Sequence, residues 1–251
     1  MFKLKYRNQL ATLPGWAVKS VRWITALPYR GTGRDCRICQ KSSSAFRAFG
    51  NPPRPNSRCA HCGSLERHRL FWLFAEQKTN LFDMRDKQVL HIAPEPCLEP
   101  QLKRRLGRGY LTADFMDPRA MVRMDITDIQ YPDDSFDVIY CSHVLEHVQE
   151  DVKAMRELRR VLKPDGWAVL LVPITAETTC EDPAVVDPRE RLAKFGQEDH
   201  VRRYGWDYID RLRSAGFNVE MFRVSDLASD ADALRLGLGQ AAGEIYCCRK
   251  S

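Results

Sequence analysis

Three consecutive segments decide the fold: FDVIYCS (136–142), VQEDVKAMRELRRVL (148–162) and GWAVLLVP (166–173). The first and third are short apolar runs rich in β-branched and aromatic residues, which is typical of buried strands. The middle segment has apolar residues three and four positions apart, which predicts a helix with one buried face. This order of elements predicts two parallel strands joined by a crossover helix.

The same alternation extends on both sides of this unit. Five more strands are predicted, at QVLHIAP (88–94), GYLTADF (109–115), MVRMDIT (121–127), FNVEMFRV (217–224) and GEIYCCRK (243–250). Three more helices are predicted, at SLERHRLFWLFAEQK (64–78), EPQLKRRLG (99–107) and GWDYIDRLRSAG (205–216). The sequence therefore predicts an α/β fold with a doubly wound, mostly parallel, seven-stranded Rossmann-like sheet and a small N-terminal zinc-ribbon-like module.

Several local features are also predicted. Ser64 is a suitable cap for the helix at 64–78, and Arg67 and Arg69 are expected on its solvent side. The residues Lys163 to Gly166 predict a turn before the strand at 166–173. Residues 174–204 show little periodicity and are expected to be irregular.

Charge divides the chain into a basic N-terminal segment (1–34), a four-cysteine module with its helix (35–80) and a main domain (81–251). Their formal charges are +7, +5 and −6, within a net charge of +6. An acidic main domain argues against a catalytic face that grips a long nucleic acid, because phosphate contacts need clustered Lys and Arg. Nucleic acid bound by the basic front part stays an alternative.

Two interpretations are open for residues 1–30. Trp16 to Leu27 predict a short amphipathic helix, which either contacts a membrane surface or an anionic partner, or packs on its own domain. No apolar run reaches the ~18 residues of a membrane span, and no secretory signal is recognisable. Five cysteines lie scattered through apparent strands. These features predict reduced thiols in a cytoplasmic protein. If the N-terminal segment contacts a membrane, the protein would lie at the inner face of that membrane.

The remaining four cysteines form two close pairs, Cys36 with Cys39 and Cys59 with Cys62, separated by 19 residues. This spacing is typical of a tetrahedral zinc site. Four protein ligands leave no open position, so the predicted zinc ion is structural. Gly63 follows the second pair, and Gln40 occupies the equivalent place after the first.

Polar residues stand where the predicted strands end. Asp114 ends the second strand of the main domain, 23 residues after His91, at the usual distance for a carboxylate that accepts two ribose hydroxyls. Asp125 ends the third strand, where it is predicted to accept an adenine amino group while Ile126 stacks on the ring. The fourth strand ends in Cys141, Ser142 and His143. In a doubly wound sheet these ends form the ligand-binding edge.

The segment 122–173 resembles class I methyltransferases of the type 11 group, through MDITDIQYPDDSFDVIYCSHVLEHV (124–148) and ELRRVLKPDGWAVLLVP (157–173). The resemblance in pattern covers roughly residues 87–223. With CGSLERHRLFW (62–72), HIAPEP (91–96) and FGQEDHVRRYG (195–205), the whole chain is similar to a bacterial subgroup that carries this four-cysteine module. The resemblance implies S-adenosylmethionine as the cofactor. The implied cofactor-binding positions are His91, Ala93, Glu95, Asp114, Asp125, Ile126, Cys141, Ser142 and His147.

The first turn departs from the family pattern. The usual acid and glycine-rich loop are replaced by His91, Ala93, Glu95 and Cys97. Glu95 is predicted to take over the contact with the cofactor's amino group, and His91 either contacts the cofactor or is a buried, hydrogen-bonded core residue. The missing glycines also argue against a nicotinamide dinucleotide, whose pyrophosphate needs a close backbone approach.

Two histidines are candidate general bases. His200 is preferred, because Asp199 beside it would orient it, and His143 is the second candidate. A metal pair of His143 and His147 would lack a third ligand.

Two further groups in 174–204 are open to more than one interpretation. Arg202, Arg203 and Tyr204 either bind an anionic substrate or face solvent, and a divalent ion held by Glu181, Asp182 and Asp187 is a further alternative.

Three functions follow from these features. The first is methylation of a small acceptor molecule, on an oxygen of a sugar, a sugar-linked intermediate or a secondary metabolite. The second is an RNA methyltransferase whose zinc module docks the RNA. The third is a non-catalytic binding protein that has lost its cofactor loop.

Overall fold

The protein is described by a computed structural model covering residues 24–83 and 85–250. Its strands are β1 (Arg34–Cys36), β2 (Lys41–Ser43), β3 (Arg47–Phe49), β4 (Arg54–Arg58), β5 (Val89–Ile92), β6 (Tyr110–Asp114), β7 (Val122–Arg123), β8 (Phe136–Ser142), β9 (Leu162–Leu171), β10 (Cys180–Glu181), β11 (Arg202–Arg203), β12 (Phe217–Phe222) and β13 (Ile245–Lys250). Its α-helices are α1 (Glu66–Lys78), α2 (Glu99–Leu106), α3 (Asp151–Val161), α4 (Pro188–Phe195), α5 (Tyr208–Ser214) and α6 (Asp230–Leu236).

Seven strands form one central sheet in the order β12-β13-β9-β8-β5-β6-β7. All neighbours are parallel except β13, which runs antiparallel to both β9 and β12. Each of the seven predicted strands is present in this sheet, so the predicted fold class is confirmed. The strands are apolar because helices cover the sheet, and every residue of β5 is buried.

The strand order brings three strand ends together. The chain leaves β5 for β6 on one side, and the later strand β8 lies on the other side. Ile92 at the end of β5 pairs with Ala113 of β6 and with Cys141 of β8. This reversal is the place where doubly wound sheets bind ligands. The residues that follow β5, β6 and β8 therefore share one edge.

Helix α1 packs on this sheet, and two expectations about it were wrong. The residue at its cap position is Leu65 rather than Ser64. Arg69 does not face solvent, because it is only 2% exposed and donates hydrogen bonds to the carbonyl oxygens of Ser57, Ser64, Leu236 and Gly237. Leu236 and Gly237 lie 167 and 168 residues away in sequence, so the helical pattern could not reveal them.

Other elements also differ from the expectation. Residues 163–166 are a bulge inside β9, opposite Asp137 of β8, rather than a turn before the strand. The third strand contains only Val122–Arg123, so Asp125 lies in a turn beyond it. The segment 174–204 contains the β10–β11 pair and α4, whose N-cap is the carboxylate of Asp187. The predicted amphipathic helix that begins at Trp16 falls largely on residues 1–23, which lie outside the described residues.

The four-cysteine module is built from two antiparallel hairpins, β1–β2 and β3–β4. Its buried side chains Ile38 and Phe46 belong to the same hydrophobic cluster as the strands of the central sheet. Helix α1 connects the two, because Phe71 stacks on Tyr140 of β8 with ring centroids 3.9 Å apart. Within the described residues, no helix combines the length and the apolarity that crossing a bilayer requires.

Candidate active site at the carboxyl edge of the sheet

The first turn after β5 holds an unusual backbone conformation. Ala93 has a φ of +50°, in the left-handed region that favours glycine. Its N–H donates to the carbonyl oxygen of Ala113 at 2.8 Å, which ties the turn to the end of β6. The turn therefore keeps a glycine-like conformation at a position where the sequence has alanine.

This conformation leads to a stability prediction. Ala93→Val should destabilise the protein by about 1–2 kcal/mol, because a β-branched residue at positive φ is strained. Ala93→Gly should stay within about 1 kcal/mol of the wild type, since relief of strain offsets the entropy gained by the unfolded chain. Urea denaturation measures both variants. A valine variant as stable as the wild type would show that this turn tolerates bulk and carries no strain.

His91 is a buried, hydrogen-bonded core residue, the second of the two alternatives considered for it. Its ring is 0% exposed, with Nδ1 at 2.7 Å from the hydroxyl oxygen of Tyr110 and Nε2 at 2.7 Å from Oε2 of Glu95. Both ring nitrogens are thus used inside the protein. His91 can position Glu95, whereas a direct cofactor contact would require one of these bonds to break.

Glu95 is the charged group of this turn. Burial alone would raise its pKa, but the hydrogen bond with His91 and the electrostatic attraction of that ring lower the pKa of Glu95 to about 2. Its other oxygen lies 3.5 Å from the hydroxyl of Tyr140 and 3.6 Å from Nε2 of His68. Burial lowers the pKa of His68 to about 3. Glu95 is therefore an anion at neutral pH, and its side chain keeps 14% exposure at the edge.

Asp114 ends β6 and is 8% exposed. Its Oδ1 accepts the backbone N–H groups of Met116 and Asp117, both at 2.7 Å, and so organises the next turn. Phe115 and Met116 are 50% and 69% exposed beside it. Large apolar side chains at a strand end offer a surface for a flat ring, and sequence reasoning missed them although they adjoin Asp114.

Asp125 and Ile126 differ in accessibility. Asp125 is exposed, and its Oδ1 accepts the N–H and the hydroxyl of Thr127 at 2.9 and 2.8 Å. Ile126 is 5% exposed and belongs to the core. The structure therefore corrects one expectation, because the side chain of Ile126 lies inside the protein and does not form an open stacking surface.

The end of β8 is strained and partly open. Cys141 is fully buried, and Ser142 is 5% exposed with an Oγ that has no hydrogen-bond partner among the described residues. His143 has a φ of +56°, which is uncommon for a non-glycine residue and is found at functional sites. Its Nδ1 lies 3.2 Å from Oε1 of Glu146, and its side chain is 32% exposed. Burial alone would raise the pKa of Glu146, but the hydrogen bond with His143 and the electrostatic attraction of His143 and His147 together lower it.

His200 is less accessible than His143. It is 5% exposed, its Nδ1 lies 3.3 Å from the carbonyl oxygen of Phe195, and burial lowers its pKa. The carboxylate of Asp199 lies 3.5 Å from Nδ1 of His147, which is 29% exposed, so it pairs with His147 and not with His200 as expected. The rings of His147 and His200 meet edge-on, with centroids 4.7 Å apart. The three histidines thus surround Glu146.

Several charged residues of 180–211 have partners within the protein that hold this region together. Arg202 is 2% exposed and donates to the carbonyl oxygens of Leu145, Val148 and Gln149. The hydroxyl of Tyr204 donates to Asp151 at 2.7 Å. The proposed cation ligands are also occupied: Glu181 binds Arg202 and Arg211, Asp182 binds Lys194, and Asp187 caps α4. Arg202 therefore matches neither alternative, since it does not face solvent and its guanidinium is already used, and the acids of the cation alternative have protein partners.

The four cysteine sulfur atoms of the module converge. All lie within 4.8 Å of one another, with Cys36 Sγ 3.6 Å from Cys62 Sγ and Cys39 Sγ 3.8 Å from Cys59 Sγ. The two turns match, because the N–H of Gln40 donates to the carbonyl oxygen of Cys36 and that of Gly63 to the carbonyl oxygen of Cys59. Gln40 has a φ of +57° and Gly63 one of +77°, so glutamine adopts the conformation of the glycine.

Two open hollows, of about 410 and 460 Å³, lie elsewhere on the molecule. Both are lined by Asn80, Asp165 and Trp167, near the amino-terminal ends of β8 and β9. Neither contains a residue of the strand-end group described above. The candidate site is therefore located by its chemistry and its place in the sheet, not by the size of a cavity.

Comparison with known proteins finds methyltransferases that are similar to this part of the chain. Residues 80–170 match the family model described as a methyltransferase domain. The malonyl-[acyl-carrier protein] O-methyltransferase of Halorhodospira halophila is 31% identical over 122 residues, which are 48% of this chain and 38% of that protein. Residues 80–170 are therefore similar to methyltransferase domains.

Other relatives vary in acceptor. The ajmaline N-methyltransferase of Rauvolfia serpentina is 26% identical over 158 residues, which are 60% of this chain and 50% of that protein. A solved 1,6-didemethyltoxoflavin-N1-methyltransferase of Burkholderia thailandensis, with S-adenosylhomocysteine bound, has a TM-score of 0.49 and 15% identity over 74% of this chain and 78% of that one. The chain spans half or less of the two curated relatives.

Proposed function

We propose that the chain is an S-adenosylmethionine-dependent methyltransferase that acts on an oxygen of a small molecule. The observation that carries the proposal is that Glu95 follows the end of β5 and Asp114 ends the neighbouring parallel strand β6, at the edge where the strand order reverses. The family match over residues 80–170 supports the same reaction class. Sugars, sugar-linked intermediates and secondary metabolites are the acceptors we propose.

The residues present fit the cofactor. Ala93 keeps the left-handed turn that a glycine-rich loop would supply, and Glu95 provides an anion for an amino group. Asp114 is proposed to bind the ribose hydroxyls and Asp125 the adenine amino group, with Phe115 as an exposed ring beside them. S-adenosylmethionine, when bound, supplies both the activated methyl group and the leaving group.

The chain itself has to align the acceptor and remove its proton. We assign the proton transfer to His143, because it is 32% exposed at the end of β8. Its Nδ1 lies against Glu146, which leaves Nε2 for the proton of an acceptor hydroxyl. His200 stays a predicted base, but its 5% exposure gives an acceptor less access to it.

Small acceptors are favoured over RNA by the module's own contacts. Arg37 binds Glu76, Arg54 lies 3.4 Å from Glu66, and Arg69 is buried against backbone carbonyls. Arg69 is buried, and Arg37 and Arg54, about half exposed, are each paired with a glutamate, so the three contribute less to a phosphate-binding surface than their number in the sequence indicates.

Zinc at the four cysteines is part of the same proposal. Four thiolates at about 2.3 Å from a tetrahedral zinc ion are separated by about 3.8 Å, and the measured 3.6 and 3.8 Å separations fit. Cys36, Cys39, Cys59 and Cys62 would hold the ion, and no ligand position would stay open for chemistry. Its role is to fix the two hairpins against α1.

The test is calorimetric titration of the full chain with S-adenosylmethionine. We expect micromolar binding by the wild type and at least a ten-fold loss in Asp114→Asn, which keeps an oxygen for the turn at Met116 but loses the charge. Asp165→Asn, at the opposite edge of the sheet, is the matched control and should bind like the wild type. Absence of binding by the wild type would refute the function, and unchanged affinity in Asp114→Asn would refute the ribose contact.

A further inference from the structure

A second group of metal-ligating side chains lies beside His143. Glu146 and His147 belong to a 3₁₀ turn, Leu145–His147, that follows β8, and His200 precedes β11. One ligand atom from each residue lies within 4.8 Å of the other two. Within residues 24–83 and 85–250, this trio and the four cysteines are the groups of three or more potential ligands that converge in this way. Sequence spacing alone offered no third ligand, because His200 lies 53 residues beyond His147.

Two ligand atoms of this trio are buried and unused. Among the described residues, neither Oε2 of Glu146 nor Nε2 of His200 has a hydrogen-bond partner. Glu146 is 1% exposed and His200 is 5% exposed, so solvent does not compensate for the missing partners. An unpaired buried polar atom costs about 1–3 kcal/mol, and more when it is charged. Two such atoms in one cluster are available to a common ligand.

One further polar atom of each residue in the trio already has a partner. Oε1 of Glu146 lies 3.2 Å from His143, Nδ1 of His147 lies 3.3 Å from the carbonyl oxygen of Asp199, and Nδ1 of His200 lies 3.3 Å from that of Phe195. Metal-binding histidines typically use one ring nitrogen in this way, which fixes the ring and leaves the other nitrogen for the ion. The arrangement is that of a ligand set with its supporting hydrogen bonds in place.

The backbone around the trio is also fixed. The N–H of Val201 donates to the carbonyl oxygen of Glu146 at 2.9 Å. The guanidinium of Arg202 binds the carbonyl oxygens on both sides of the Glu146–His147 pair, those of Leu145 and Val148. These contacts hold the segment of His200 against the turn of Glu146 and His147. The three ligands are therefore preorganised although they are distant in sequence.

We propose that Glu146, His147 and His200 bind one divalent first-row transition ion. Two imidazoles and one carboxylate are a donor set that Zn²⁺, Fe²⁺ and Mn²⁺ accept. Three protein ligands leave at least one coordination position open, and the 29% exposure of His147 gives that position a route to solvent. This ion is distinct from the structural zinc of the cysteines, because its donors are nitrogen and oxygen and its coordination is incomplete.

The test is equilibrium dialysis of the full chain against micromolar free Zn²⁺, with bound metal measured by mass spectrometry. We expect two zinc ions per chain for the wild type and one for His200→Asn and for Glu146→Gln, because the cysteine site stays filled. Glu150→Gln, at an exposed glutamate outside both ligand groups, is the matched control and should retain two. One zinc ion in the wild type, or two in both variants, would overturn the proposal and leave a bound water as the occupant.

Two further measurements keep the result interpretable. Melting curves identify a variant that does not fold, and His147→Asn, at a partly exposed position, then replaces it with the same expected loss of one ion. Mn²⁺ titration followed by electron paramagnetic resonance reports the nitrogen–oxygen site alone, because thiolates prefer zinc. Neither measurement uses S-adenosylmethionine, so a failure here is distinguishable from a failure of the proposed methyltransferase function.

Discussion

Replacing Cys59 with serine is expected to abolish the zinc binding that we propose for the four cysteines and to destabilise the whole chain. Structural zinc sites contribute apparent binding free energies of about 10–16 kcal/mol in isolated zinc-finger peptides, and binding is coupled to folding. The hairpins β1–β2 and β3–β4 contain few regular residues of their own, so the ion would supply much of their stability. A loss of about 4 kcal/mol or more corresponds to a fall in melting temperature of roughly 10 °C for a chain of this size.

The destabilisation should extend beyond the module. Arg69 of α1 connects the carbonyl oxygens of Ser57 and Ser64 in the module with those of Leu236 and Gly237 after α6. Loss of the module leaves this buried guanidinium without half of its partners, which is costly for a charged group. Scanning calorimetry together with the zinc content of the same sample measures both effects.

Cys180→Ser is the matched control for that experiment. Cys180 is exposed and lies outside the four-cysteine site. Its replacement should change neither the metal content nor the melting temperature by a measurable amount. If Cys59→Ser keeps both its zinc and its melting temperature, the cysteines do not form a structural metal site.

The fold could be predicted because its determinants are local. The seven strands and the helices that separate them each carry their own periodicity, and the two cysteine pairs carry their own spacing. Elements with weak local patterns were missed. Helix α4 begins with Asp187 as its cap, yet the surrounding charges obscured it, and α6 is only seven residues long.

The site could be predicted only as a set of strand ends. Contacts with residues distant in sequence decide which side chains are exposed at these strand ends. Ile126 enters the core, and His91 is enclosed by Tyr110 and Glu95. Asp199 turns toward His147, 52 residues earlier in the chain. No periodicity encodes such contacts, because they arise when the segment before β11 packs on the turn after β8.

Arg202 is the clearest example of a charged residue that was expected at the surface but lies inside the protein. It is expected to be among the residues that contribute most to stability. Its side chain is 3% exposed, and it binds Glu181 at 2.8 Å in addition to three backbone carbonyl oxygens. Asp151, 3.6 Å away, keeps Arg211 and Tyr204 as partners when Arg202 is lost. The carbonyl oxygen of Leu145 also keeps the N–H of Val148 and the hydroxyl of Tyr204 as donors, whereas those of Val148 and Gln149 lose the guanidinium.

Arg202→Met should therefore lower the free energy of unfolding by about 3–5 kcal/mol, the usual effect of removing one side of a buried charged network. Arg202→Lys should recover only part of this loss, because an ammonium group cannot reproduce the planar set of donors that reaches three carbonyl oxygens. Arg203→Met is the matched neighbour: Arg203 makes its contact with Thr175 at the surface, so the expected loss is under about 1 kcal/mol. Urea denaturation with a common m-value ranks the three variants.

Loss of Arg202 should also weaken metal binding by the nearby trio, which can be measured separately from stability. Because the guanidinium holds the carbonyl oxygens of Leu145 and Val148, its loss should release the turn that carries Glu146 and His147. The Arg202→Met chain should then bind the second zinc ion at least ten-fold more weakly at a temperature where it is still folded, while the four cysteines retain theirs. Equal stability of Arg202→Met and Arg203→Met would mean that the buried guanidinium contributes no more than an exposed one, and that the turn is held by Val201 and its neighbours alone.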